Sequence, residues 1–187
     1  MSTGAAAVFG IVTGFVVLIA ILCIAIYNKL GLLRNTLQSL WSDIDGKLKK
    51  QYELIPKLVE MVRDNAPHEE AVFEKMLVNR SLALKTLSPL ERAKAEHVFS
   101  AALEDLFAVA GAHPNLKAHA DFVELQNQLR AIKDSTKQSR TYYNNLVKDY
   151  NAIVESFPSS MLAALFKFER AEFFEPESLT LDEGDNG

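Results

Sequence analysis

The feature that most constrains this chain is an apolar run at its start. Ala5 to Ile26 is 22 residues long, carries no charge and contains nothing more polar than Thr13. A helix that crosses the hydrocarbon core of a bilayer needs ~20 such residues, and in lipid a helix satisfies its own backbone hydrogen bonds. The sequence therefore predicts a transmembrane anchor over residues 1–26, with the lipid bilayer as a partner.

A cleaved signal peptide is the alternative interpretation of the same run. It requires a basic start, an apolar stretch of ~7–15 residues and a cleavage site with small residues. Here the start lacks Lys and Arg, the stretch is longer, and Ile24-Ala25-Ile26 is a poor cleavage site. These three mismatches favour the anchor.

The charges that flank the run predict an orientation. Lys29, Arg34 and Lys47 follow it, whereas Met1 to Gly4 offers only the α-amino group. Lys and Arg near a span bias that side towards the cytoplasm. We expect a single-pass protein of the cell (inner) membrane, with a short outer N-terminus and a cytoplasmic domain.

Small residues recur every four positions within the run, at Ala6, Gly10 and Gly14. This small-xxx-small pattern lets two helices approach closely in lipid, so it predicts self-association of the span. The alternative is that glycine is simply common in membrane helices.

Beyond the run, apolar residues recur at intervals of three and four, which indicates one helical stripe. The stripe comprises Leu30, Leu33, Leu37, Leu40, Ile44, Leu48, Ile55, Leu58 and Val62. No break separates this stripe from the membrane span, so we predict one helix from about residue 5 to 64, ~90 Å long at 1.5 Å per residue. Pro56 lacks an N–H and crowds the carbonyl of Tyr52, so a kink is expected there.

Three further amphipathic helices are predicted. The second opens at Glu69 with a stripe to Leu87, the third starts at Ser88-Pro89 with Glu91 in a capping box, and a fourth runs from Pro114 to Pro158. Gly111 is expected to end the third in the left-handed conformation. The predicted fold class is all-α: a transmembrane helix continuous with a long antiparallel four-helix bundle, then a short helix from Ser160 to Phe168.

The C-terminal segment differs in composition from the rest. Residues 169–187 contain seven acidic residues and one basic residue, and we expect Leu181 to Gly187 to be disordered. The predicted organisation is therefore an anchor over 1–26, a helical bundle over 27–168 and an acidic, partly disordered tail over 169–187.

Specific blocks of the sequence resemble the LemA family. They are Tyr27-Asn28, Arg34-Asn35, Leu40-Trp41-Ser42-Asp43-Ile44-Asp45, Leu54-Ile55-Pro56-Lys57-Leu58-Val59, His68-Glu69, His113-Pro114-Asn115-Leu116-Lys117-Ala118, Phe122, Leu125-Gln126, Arg140, Tyr143-Asn144, Tyr150-Asn151, Phe157-Pro158 and Phe166-Lys167-Phe168. The chain departs from the family pattern at Lys57, His113, Lys133 and Thr136. The resemblance implies a single-span membrane protein with a long antiparallel helical bundle, and no particular activity.

The sequence lacks the motifs of reaction chemistry, so we predict no catalytic, cofactor or metal site. There is no Glu-x-x-His, His-Glu-x-x-His, Cys-x-x-Cys, Gly-x-Ser-x-Gly or glycine-rich phosphate loop. His68 is interpreted as a residue of a helix start and His97 as a satisfied core histidine. Nucleic acid is not expected as a partner because the bundle is near neutral and the tail acidic.

Polar residues on or beside the apolar stripes are the candidate site. Arg80 lies on the stripe of helix two, and Arg140, Asn144 and Asn151 lie beside that of helix four. A buried Arg needs a carboxylate, and Asp45 or Asp43 is the expected partner of Arg80. This set is interpreted as a register-fixing polar layer; a ligand pocket is the alternative.

Two functional hypotheses follow. The first is a non-enzymatic membrane scaffold that forms homo-oligomers or assembles with other membrane proteins, with exposed phenylalanines at one end as a contact; these are Phe166, Phe168, Phe173 and Phe174. The second is a ligand-sensing or regulatory adaptor subunit of a membrane protease or transporter.

Overall fold

Helix makes up 87% of the residues that a computed structural model of this protein describes. The description covers residues 3–86 and 88–174, with side chains from residue 8 onwards, and no strand occurs within it. The elements are α1 (Thr3–Asn65), α2 (Glu70–Lys85), α3 (Pro89–Gly111), α4 (Pro114–Lys117), α5 (Ala120–Glu155) and α6 (Ser159–Leu165). The all-α prediction is therefore confirmed.

The predicted continuous N-terminal helix is present as α1, which contains an 18-residue stretch of mean hydropathy 2.9. No residue of that stretch is buried in the molecule. Burial in the protein's own core therefore does not explain its apolar composition. It is the one helix of the described part of the chain that is long and apolar enough to cross a membrane.

The helix start predicted at Ser88 is also present. The Ser88 hydroxyl accepts a hydrogen bond from the Glu91 N–H at 3.3 Å, and Pro89 occupies the first helical turn. The predicted left-handed end at Gly111 is wrong: Gly111 is the last helical residue, and no glycine in the described ranges has a positive φ.

The fourth predicted helix is divided in two. Pro114 starts the single turn α4, which buries Leu116, and α5 then begins at Ala120. The short helix after Pro158 is α6, and it ends in a Schellman motif. There the Phe168 N–H donates to the Ala163 carbonyl and the Lys167 N–H to that of Ala164, with Lys167 at φ 56°.

The chain divides into two compact units. Unit 1 comprises Met1–Gln38 and Leu146–Ala171. Its buried side chains include those of Leu30, Leu37, Val147, Tyr150 and Phe168.

Unit 2 comprises Ser39–Asn145 and Glu172–Gly187. Its largest buried side chains lie on α1, α2 and α3 and include those of Tyr52, Phe73, Phe99 and Leu106. The core face of α5 adds Phe122, Leu125 and Leu129. Within this unit the predicted stripe of α1 is buried at Ile44, Leu48, Ile55, Leu58 and Val62.

Some sequence predictions lie outside the described residues. They are the disorder of Leu181–Gly187, the place of Leu87 in a stripe and the side chain of Ala6. The predicted boundaries at residues 26 and 168 stay predictions.

A buried polar cluster as the candidate functional site

Five polar side chains of unit 2, three of them buried and two half-buried, interact with one another, and we call them the polar cluster. Asp45 and Tyr52 come from α1, Arg92 and Glu96 from α3, and Arg140 from α5. Because Arg92 and Glu96 are four residues apart, they lie on one face of α3. That face is the apolar stripe that continues with Phe99, Ala102 and Leu106.

Tyr52 and Glu96 form the centre of the polar cluster. The fully buried Tyr52 phenol donates a hydrogen bond to Glu96 Oε1, and its ring packs edge-on against Phe99 with centroids 5.0 Å apart. Burial raises the pKa of the Glu96 carboxyl above its ordinary value, against the opposing effects of the Tyr52 hydrogen bond and of Arg140 and Arg92. Burial, then the charge of Glu96, raises the pKa of Tyr52 as well.

Arg92 is the most deeply buried charge in the polar cluster, with 3% of its surface exposed. Its Nη2 donates to the Thr86 carbonyl at 2.7 Å and lies 2.8 Å from Asp45 Oδ1. The contact with Asp45 is an ion pair that lacks hydrogen-bond geometry, since Asp45 Oδ1 accepts no hydrogen bond. Arg92 therefore ties the segment between α2 and α3 to α1.

Two nitrogens of Arg92, Nε and Nη1, are buried without a hydrogen-bond partner, as is Thr136 Oγ1. Buried polar groups are usually paired with protein or ordered water.

Arg140 lies near an aromatic ring and a carboxyl group of unit 2. Its guanidinium lies 4.7 Å from the centroid of the Phe174 ring, and its charge lowers the pKa of Glu96. The fully buried Phe174 ring also lies beside Trp41, with centroids 5.9 Å apart. Arg140 thus links the polar cluster to an aromatic group.

Arg80 has a different role from the predicted one. Its Nε–H donates to the Tyr52 carbonyl at 2.6 Å. In an uninterrupted helix this carbonyl would accept from residue 56, but Pro56 has no N–H. Arg80 supplies the missing donor from α2.

The predicted ion pair of Arg80 with Asp45 or Asp43 is therefore wrong. Asp45 contacts Arg92 and Lys49, while the exposed Asp43 contacts Lys47 and accepts from Ser139. A buried arginine is indeed paired with a carboxylate, but that arginine is Arg92 of α3. The apolar stripe of α2 could not identify it.

Asn144 and Asn151 hold the chain after α6. Asn144 Oδ1 accepts from the Phe174 N–H at 2.9 Å in unit 2. In unit 1 the Asn151 amide exchanges two hydrogen bonds with the Ala171 backbone. These contacts fix residues 171 and 174 against α5 and account for the polar side chains beside its stripe.

The phenylalanines expected to form one exposed contact have different environments. Phe174 and Phe168 are buried, Phe173 is half-buried, and Phe166 is exposed. Phe157, predicted as part of the α5 stripe, is 82% exposed. The expected aromatic contact end is thus reduced to Phe166 among its four members.

His97 is exposed, so its assignment as a core histidine is wrong. Its neighbour Glu96 occupies the buried position instead. Among the residues that the structure describes, no group of three His, Cys, Asp or Glu side chains could hold a metal ion.

Gly10 and Gly14 lie on α1 with open space beside them. A Cβ built on either glycine would meet no atom within 4 Å. The protomer itself thus leaves room for side chains at both positions.

A shallow groove of about 370 Å³ lies apart from the polar cluster's own residues. It is lined by Arg63 of α1 and by α2 residues, namely Glu70, Glu74, Leu77, Val78 and Ser81. The lining is of mixed charge.

Tyr52, Arg92 and Glu96 were missed at the sequence level. A usable signal was present: extending the α3 stripe backwards from Leu106 and Phe99 by steps of three and four reaches Glu96 and then Arg92.

The fold and the site define an all-α protein that has an apolar N-terminal helix and a polar cluster between helices α1, α3 and α5. The LemA family model matches residues 40–183, about three quarters of the chain, and the protein belongs to the LemA family. No curated protein matches the sequence.

Proposed function

We propose that this protein is a non-enzymatic, single-span membrane protein of the cell (inner) membrane that self-assembles as a scaffold. The observation that carries the proposal is the apolar stretch of α1, none of which is buried in the molecule. Leaving so much apolar surface in water is unfavourable, at roughly 25 cal/mol per Å², and a bilayer removes that cost. The same helix continues to Asn65, so anchor and domain share one element.

The domain is proposed to be an antiparallel four-helix bundle of α1, α2, α3 and α5. Contacts in unit 2 support opposite directions for neighbours: Lys75 with Asp105 for α2 and α3, and Phe107 with Phe122 for α3 and α5. Lys47 with Ser139 and Trp41 with Tyr143 support the same for α1 and α5. Such bundles arise when amphipathic helices are joined by short turns.

Self-association is proposed to occur through the α1 face that carries Ala6, Gly10 and Gly14. Lipid offers no hydrophobic drive between helices, so close backbone packing at small residues must provide it. The open space at Gly10 and Gly14 is compatible with a second helix there.

The test is Gly10→Leu with Gly14→Leu in the full-length protein. The protein should run as an oligomer in mild detergent, and the double variant should shift towards monomer because leucines hold the helices apart. Val12→Leu with Val16→Leu is the matched control, since these exposed positions lie about 200° around the helix from the glycines. A wild-type protein that is monomeric in both detergent and nanodiscs would overturn the scaffold.

A ligand-sensing or regulatory adaptor is the second candidate, favoured by the unpaired Nε and Nη1 of Arg92. A small anion that reached the polar cluster would satisfy these donors. Inorganic phosphate or acetate should then raise the melting temperature of wild type more than that of Arg92→Lys. Equal shifts would remove this candidate.

A further inference from the structure

The segment from Ser156 to Phe166 contains no charged residue, although most of it lies at the surface of unit 1. Phe157, Met161 and Leu165 are 82%, 67% and 71% exposed. Met161 and Leu165 are four residues apart and so lie on one face of α6, and Phe157 lies in the turn that precedes the helix. With the exposed Phe166, they form what we call the α6 outer face.

The amphipathicity of α6 is inverted. The side that packs into unit 1 presents the small residues Ser159 and Ala163, which are 7% and 1% exposed. Met161 and Leu165 lie on the opposite side, and Leu162 is half-buried. A helix that only had to cover this unit in water would bury its large apolar residues and expose its small polar ones. The α6 outer face therefore suits an apolar surrounding.

Ring contacts place the end of α6 beside the proposed membrane boundary. The Schellman turn at Lys167 directs the chain back, and Phe166 and Phe168 lie 4.8 and 5.7 Å from the Tyr27 ring, centroid to centroid. Tyr27 directly follows Ile26, the last residue of the apolar run. Tyrosine is enriched where a span meets the headgroups.

We propose that the α6 outer face inserts into the headgroup region of the bilayer beside the α1 span. This inference rests on the proposed anchor. Phe157, Met161 and Leu165 enter the boundary between headgroups and acyl chains, as the apolar faces of interfacial helices do. The exposed Lys167 lies next to them and suits anionic headgroups.

A bilayer fits this face better than a second copy of the chain. The face is continuous with the exposed apolar span through Tyr27. The seven residues of α6 extend only about 10 Å at 1.5 Å per residue. A stable interface between proteins takes ~800 Å² from each partner, which so short a face does not supply.

Fluorescence quenching by spin-labelled lipids tests the proposal in full-length protein carrying Cys23→Ser. Met161→Cys is labelled with an environment-sensitive fluorophore and placed in nanodiscs that contain a lipid spin-labelled near its headgroup. Val78→Cys on α2 is the matched control, because Val78 is an apolar residue that is also half exposed. Ile19→Cys, with a lipid spin-labelled deep in its acyl chain, reports on the anchor itself.

The expected result is loss of emission for the probe at position 161 and unchanged emission at position 78. No quenching at 161 with quenching at 19 overturns the interfacial contact and leaves the anchor standing. No quenching at 19 overturns the anchor and with it this inference. Emission at 161 that follows the number of protomers per disc, and not the spin-labelled lipid, assigns the face to a second copy.

Discussion

At the residue scale, the polar cluster shows how a helical core accommodates charge. Arg92 lies in the first turns of α3, where the positive end of the helix dipole opposes a cation. Asp45 compensates from α1, and the Thr86 carbonyl compensates from the preceding segment. Arg92 has both partners only in this arrangement of the helices.

Replacing Arg92 with Met should destabilise the protein. Removing one partner of a fully buried pair costs ~3–5 kcal/mol; because Asp45 keeps 22% of its side chain exposed, we expect about 2–3 kcal/mol. Thermal or urea unfolding in detergent measures the loss, and Arg92→Met with Asp45→Asn should recover part of it. Arg130→Met, on the exposed side of α5, is the control and should stay within ~0.5 kcal/mol. A silent Arg92→Met would show that the contact contributes nothing.

Glu96 should make stability depend on pH in a defined direction. Its pKa in the folded state lies above the ordinary 4.5 because it is buried. Between these two pKa values the folded state binds more protons than the unfolded state, so stability falls as pH rises through this window. Below 4.5 this contribution is fully present.

Glu96→Gln removes that contribution. The stability of the variant relative to wild type should therefore increase as pH rises above 4.5, then level off above the folded pKa. Unfolding curves across pH 4 to 8 give the difference, with Glu104→Gln on the exposed side of the same helix as control. A difference that is constant with pH would contradict the raised pKa of Glu96.

At the element scale, α1 continues through Pro56 because a second helix supplies what proline lacks. The interruption leaves the Tyr52 carbonyl without its usual donor, and the Arg80 Nε–H takes that place. The guanidinium is thus a replacement for one backbone N–H. It also joins α2 to the middle of α1.

A double-mutant cycle on Arg80 and Pro56 tests this replacement. Arg80→Met alone should cost about 1–3 kcal/mol, since the carbonyl of the buried Tyr52 loses its donor from Arg80. In a Pro56→Ala background the new N–H bonds the Tyr52 carbonyl, so Arg80→Met should cost distinctly less. Equal costs in both backgrounds would mean that Arg80 stabilises the protein by other means.

At the scale of the whole molecule, the charges after the apolar run set the expected orientation. Lys29, Arg34 and Lys47 predict a cytoplasmic domain under the positive-inside rule. With Cys23→Ser and Asp185→Cys, the introduced thiol should resist a membrane-impermeant reagent in intact cells and react after lysis. Labelling of intact cells would show that the orientation is the opposite one, and the α6 outer face would then contact the outer leaflet.

What the sequence determined alone is what local patterns encode. The length and composition of Ala5 to Ile26 predicted an apolar helix, and the stripe from Leu30 to Val62 predicted its continuation. The Ser88-Pro89 start was predicted because a cap depends on residues within one turn. Each of these features depends on contacts between residues close in the chain.

Only the tertiary structure decided which polar residue meets which. Whether Asp45 pairs with Arg80 or Arg92 depends on the rotation and register of α1, α2 and α3. The 3.6-residue period of a sequence does not determine that register, because helices shifted by one turn show the same pattern. The same rotation buries Glu96 and exposes its neighbour His97. Phe157 is exposed because α5 ends at Glu155, before the stripe predicted from the sequence reaches it. An apolar stripe shows which face of a helix is buried. Which helix packs against that face depends on the packing of segments that lie far apart in the sequence.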